Sequence, residues 1–90
     1  MRDLSGEVLT EVAEERLGQD AKWGEQNHEP EIWLSILTEE VGELATAMLR
    51  TRFHAYEHRK VEDMRREAIQ VAAVAVAFIE CLDRREAAHA

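Results

Sequence analysis

Val71-Ala72-Ala73-Val74-Ala75-Val76-Ala77-Phe78-Ile79 is the stretch that decides the fold. It lies in a segment rich in good helix formers, and the spacing predicts the chain's last helix from about Lys60 to Arg84. The run is apolar on every side of such a helix, so it is expected to be buried all round. Two other helices in so short a chain cannot wrap it completely. Its remaining surface is therefore expected to meet the same surface on another copy, giving a homo-oligomer, either a dimer or a tetramer. The alanines at 72, 73, 75 and 77 would let helices approach closely there.

Working back along the chain, Leu4, Val8, Leu9, Val12, Ala13 and Leu17 recur at three- and four-residue spacing, which predicts a first amphipathic helix with Gly18 as its stop. From Gln19 to Pro30 the pattern dissolves into polar residues with Asp20, Gly24 and Asn27, and reads as an irregular connection. Pro30 suits the first turn of a second helix, with Glu31 near its positive end and helical periodicity from Ile32 to about Arg50. Thr51 to Arg59 lacks an apolar stripe and reads as a second connection. With one proline and four glycines in 90 residues, the fold class is all-α. The expected architecture is a single domain, 1–90, a bundle of about three to four helices completed by homo-oligomerisation.

A formal charge of −8, with no basic patch interleaved with aromatics, argues against polymeric nucleic acid as a partner. Met1 to Glu7 holds no apolar stretch like that of a signal peptide, and no apolar run approaches a bilayer span. The protein is expected to be cytoplasmic and off the membrane. Cys81, the lone cysteine, sits in an apolar stretch and reads as a packed thiol. Arg50, Arg52, Arg59, Lys60, Arg65 and Arg66 cluster in sequence, and suit either a small polyphosphate with its metal or a solvated, charge-balancing loop.

The second helix carries Glu39, Glu40 and Glu43 in the pattern E-E-x-x-E, and Glu40 and Glu43 share one narrow sector of the helical wheel. Glu40 falls between Trp33 and Ile36, with Leu37, Leu44 and Ala47 on the same side, and is expected to face inward. On the third helix Glu67 shares its sector with Met64, Val71, Val74 and Phe78, with Asp63 and Gln70 beside it one turn away. Carboxylates turned toward one interior raise one another's pKa unless a cation neutralises them. Mg²⁺ is the natural choice, with Mn²⁺ as its substitute, and an all-carboxylate Mg²⁺ site implies a phosphorylated ligand. A solvated acidic face explains the triplet alone; the inward acids on two separate helices favour the metal.

Other patterns carry less. His54 and His58 have the spacing of a zinc pair but lack the glutamate of the metalloprotease motif and a third ligand. Glu25 to His28 reads E-x-x-H in a Gly- and Pro-bearing connection with no second copy. No glycine-rich phosphate loop is present.

W-G-E-Q-N-H from Trp23, E-E-V-G-E from Glu39 and R-E-A-I-Q from Arg66 together resemble the MazG-like nucleotide pyrophosphohydrolases of the all-α nucleoside triphosphate pyrophosphatase superfamily, over roughly Leu9 to Arg84. The resemblance implies Mg²⁺-dependent hydrolysis of nucleoside triphosphates to monophosphate and pyrophosphate, a house-cleaning of the nucleotide pool. Carried over residue by residue, Glu40, Glu43 and Glu67 would be metal ligands. Glu39 would be a further ligand or the group that orients the attacking water. Where the family's E-x-x-D motif ends in Asp, this chain has Gln70, which keeps a carbonyl oxygen for the metal but loses a charge. Asp63, on the same face, is the candidate to compensate. Trp23, His28 and Trp33 would form a base pocket, although core packing accounts for Trp33 equally well. Two alternatives stay open: a nucleotide- and metal-binding module with weak or no turnover, and a purely structural helical oligomerisation protein.

Overall fold

The computed structural model describes residues 1–53 and 60–89. It contains three helices, α1 (Leu4–Trp23), α2 (Pro30–Phe53) and α3 (Lys60–His89), and no strand among the described residues. The His54 and His58 pair, and Arg59 of the cationic cluster, lie outside the described residues. No helix among the described residues is long and apolar enough to cross a membrane.

The helix limits differ from the sequence reading in an informative way. Asp3 caps α1, its Oδ1 accepting from the Gly6 amide at 3.0 Å. The helix then runs through Gly18 and ends at Trp23, so Gln19 to Trp23 are helical and not part of a connection. A glycine inside a helix costs only about 0.5–1 kcal/mol relative to alanine. Arg16 opposes that cost by reaching over the glycine, donating to Gln19 Oε1 at 3.0 Å and to the Asp20 carboxylate at 3.0 and 3.2 Å. The stop is Gly24, whose φ of 75° few other residues adopt, and whose amide donates to the Asp20 carbonyl at 2.8 Å. Helix α2 starts at Pro30 and extends past Arg50 to Phe53, while α3 extends past Arg84 to His89.

α1 and α2 both pack on α3 and not on each other. Trp33 meets Phe78 at one end of the α2–α3 pair, and Glu43 shares a depression with Asp63 and Glu67 at the other, so these helices run antiparallel. The pairs Glu11–Arg65, Glu15–Gln70 and Arg16–Glu80 ascend together, so α1 runs in the same sense as α3. The result is a trough with α1 and α2 as walls and α3 as floor. Trp33, Val74, Ala77 and Cys81 form the buried core, with Ile36, Leu37 and Phe78 packed against it. The Cys81 thiol is buried and donates to the His28 carbonyl at 3.8 Å.

Complete burial of the Val71–Ile79 run is not reached within one chain. Ala73, Val74 and Ala77 are buried, but Ile79 is 55% exposed, because the two wall helices reach only one side of α3. The long floor helix also stretches the molecule to 54 × 36 × 21 Å with a radius of gyration of 15.3 Å. A compact chain of this length would have a radius of about 12 Å.

Candidate functional site

Helix α2 presents Trp33, Ile36, Glu40, Glu43, Ala47 and Arg50 at alternating steps of three and four residues, which places them on one face in the order apolar, acidic, basic. Helix α3 answers with Ala77, Val74, Gln70, Glu67 and Asp63, read in reverse because the helices are antiparallel. The acidic steps of the two ladders therefore coincide. Glu40, Glu43 and Glu67 each bring a carboxylate oxygen to within 4.8 Å of the others.

Glu40 sits deepest. It is half-buried, and its Oε2 is buried without a hydrogen-bond partner among the described residues. Its carboxyl titrates above the usual range, first because burial removes water from the charged form, then because Glu43, Glu67, Glu39 and Glu15 repel it. Below the usual carboxylate range Glu40 is protonated in both the folded and unfolded chain, and the stability it contributes is fully present. As pH rises through the raised folded value, that contribution is lost. In chelator, wild type minus Glu40→Gln should show a melting-temperature difference that grows more negative as pH rises through that interval. A pH-independent difference would contradict the shift.

The neighbours of this cluster are placed as follows. Glu39 is exposed beside it. Gln70 is half-buried, and its amide donates to Glu15 Oε1 on α1 at 2.6 Å. Asp63 is not one of the three clustered carboxylates; it pairs with Arg66 at 2.8 Å and shares with Glu43 and Glu67, together with Thr46 and Arg50, a depression of about 270 Å³.

On the other side of Glu40 a cleft of about 510 Å³ opens between the walls of the trough. Small-molecule sites span about 300–1,000 Å³. Glu40 and Glu15, with the neutral Gln70 amide beside them, mark its acidic end, Trp33 and Ile36 line it from α2, and Gln19, Lys22 and Trp23 line it from α1. Trp23 is 63% exposed and carries the Lys22 ammonium 4.8 Å from its ring centroid. Trp33 is only 3% exposed and serves core and cleft together. His28 does not line the cleft: its ring packs edge-on against Trp33 at 5.0 Å. The segment around it is held to α3 by Arg84, which donates to the Gln26 carbonyl at 3.0 Å and to Asn27 Oδ1 at 3.2 Å.

Sequence reasoning missed the contribution of α1. Glu15, Gln19 and Lys22 enter the cleft from a helix read only for its apolar positions. Their signal was the three- and four-residue spacing of Glu15, Gln19 and Lys22, continuing the face of Val12 past Gly18. Comparison of the chain with protein-family models, curated proteins and solved structures finds no match.

Proposed function

We propose that the protein is a homo-oligomeric, Mg²⁺-dependent, MazG-like nucleoside triphosphate pyrophosphohydrolase that clears the cytoplasmic nucleotide pool. The observation that carries this reading is the meeting of Glu40, Glu43 and Glu67 at the end of an aromatic-walled cleft, with one Glu40 oxygen buried and unpaired among the described residues. A buried carboxylate oxygen without a donor, among two more carboxylates, fits a hard divalent cation. Glu40, Glu43 and Glu67 would hold that ion, with Gln70 lining the same cleft as Glu40. When bound, Mg²⁺ supplies charge neutralisation and Lewis-acid polarisation of the α-phosphate.

The chain's own residues order the substrate along α2. At a rise of about 1.5 Å per residue, Trp33 lies roughly 10 Å from Glu40 along the axis, and Arg50 roughly 15 Å beyond it. Trp23 and Trp33 flank the base, and Arg50 and Arg66 in the adjoining depression face the β- and γ-phosphates. Glu39 takes the proton of the attacking water, a bond forms from that water to the α-phosphorus, and the bond from the α-phosphorus to the bridging oxygen breaks as pyrophosphate departs. Homo-oligomerisation is supported by Leu34, Val41 and Met48, which are 63%, 47% and 50% exposed at seven-residue spacing and form an exposed apolar row along α2.

The test is product separation after incubation with Mg²⁺ or Mn²⁺ and each nucleoside triphosphate. Monophosphate plus pyrophosphate is expected, and diphosphate plus phosphate would contradict the mechanism.

The engagement of Gln70 with Glu15 favours a second reading, a module that binds nucleotide and metal with little turnover. Gln70→Asp tests whether the missing charge limits turnover. It replaces a donor to Glu15 with a like charge, so the metal-free protein should melt lower while Mg²⁺ stabilises it more. Turnover rising severalfold marks the missing charge as the limit on wild-type catalysis; unchanged turnover shows that it is not.

A further inference from the structure

The cleft contains an amide whose orientation is fixed. Arg16 is buried, with 10% of its side chain exposed. It donates to Glu80 at 3.2 and 2.7 Å, to Asp20 at 3.0 and 3.2 Å, and through Nη1 to Gln19 Oε1 at 3.0 Å. A guanidinium donates and never accepts. Gln19 is therefore obliged to turn its carbonyl oxygen to Arg16 and its NH₂ group away, since the flipped amide would set donors against donors. Arg16 cannot move aside without giving up both carboxylates. Gln19 lines the cleft with Gln26 and Trp33, and its NH₂ group has no protein partner among the described residues. Gln26 accepts from Arg84 through its backbone carbonyl, and among the described residues its side-chain amide has no partner that would fix which way it turns.

Resting on the reading of this cleft as a nucleotide site, we infer that Gln19 is a specificity-determining residue, a fixed hydrogen-bond donor that selects keto bases: uracil, thymine, guanine or hypoxanthine. Each of these carries a carbonyl oxygen for the Gln19 NH₂ group and, next to it, a ring N–H for which Gln26 turns its oxygen. Cytosine and adenine put an amino group where the Gln19 donor stands. Two donors then face each other, and each loses water without gaining a partner.

The test uses non-hydrolysable α,β-imido analogues of dUTP and dCTP with Mg²⁺, their binding read from the fluorescence of Trp23 and Trp33, alongside turnover of the natural triphosphates. Wild type should bind the uracil analogue at least about tenfold tighter, one mismatched donor being worth that much or more. Gln19→Glu should reverse the preference, because its carboxylate pairs with Arg16 and turns an acceptor oxygen into the cleft. Gln19→Ala should erase the preference, and serves if the glutamate variant fails to fold. Equal binding of the two analogues by wild type, or a preference that both variants leave in place, overturns the inference even if turnover is seen. Selective binding without turnover retains base selection and removes only the hydrolase reading. Absence of both binding and turnover overturns the two together.

Discussion

Glu40→Gln is expected to lower turnover by at least about a hundredfold, since loss even of a group that only supports a metal ligand costs 10–100-fold. The same change should raise the melting temperature of the metal-free protein. Glu40 has a desolvated carboxylate with an oxygen unpaired among the described residues, repelled by four neighbouring acids, and the neutral amide removes both penalties. A gain on the order of 1 kcal/mol corresponds to about 4–8 °C in a domain of this size. Wild type, in contrast, should gain from Mg²⁺, about 2.7 kcal/mol when the ion is at a hundredfold excess over its dissociation constant. The variant should gain almost nothing. A wild-type protein indifferent to Mg²⁺ would leave the acids as a strained face of a structural protein.

Trp33→Ala is expected to be the most damaging single change to the fold. Trp33 is 3% exposed and packs on His28 at 5.0 Å and on Phe78 at 6.2 Å, and the other buried members of its cluster, Val74, Ala77 and Cys81, are all much smaller. Removing a buried tryptophan costs about 3–5 kcal/mol. That is a large share of the roughly 5–15 kcal/mol by which folded domains are stable. Helical circular dichroism at 37 °C should be largely lost. Trp23→Ala is the matched contrast: at 63% exposure it should leave the melting temperature within about 2 °C of wild type, while weakening nucleotide binding through the opposite wall of the cleft. Wild-type stability in Trp33→Ala would mean that the core is built on something else.

The sequence made the α2–α3 half of the molecule readable because its signals are local. Pro30 opens a helix wherever that helix later packs, and the positions of Glu40 and Glu67 among apolar neighbours follow from helical spacing alone. The end of α1 was harder to read, since Gly18 and Gly24 are equally plausible stops until a residue is seen holding the chain beyond the first. Arg16 does this by bonding Gln19 and Asp20 on its own helix while reaching Glu80 on α3, and the last contact is tertiary. Misplacing that end hid Gln19 and Lys22 from the cleft. Glu15 was hidden for the related reason that only the packing of α1 on α3 brings it to Gln70. The exposed Ile79 shows the same limit from another side, because periodicity reveals that a surface is apolar but not what covers it.

The most direct measurement is hydrolysis of a keto-base triphosphate by the wild-type protein with Mg²⁺ in isotopically labelled water, followed by mass analysis of both products. Water attack on the α-phosphorus beside Glu40, Glu43 and Glu67 predicts the label in the monophosphate alone, with unlabelled pyrophosphate. Label in the pyrophosphate, or no hydrolysis at all, would contradict the account.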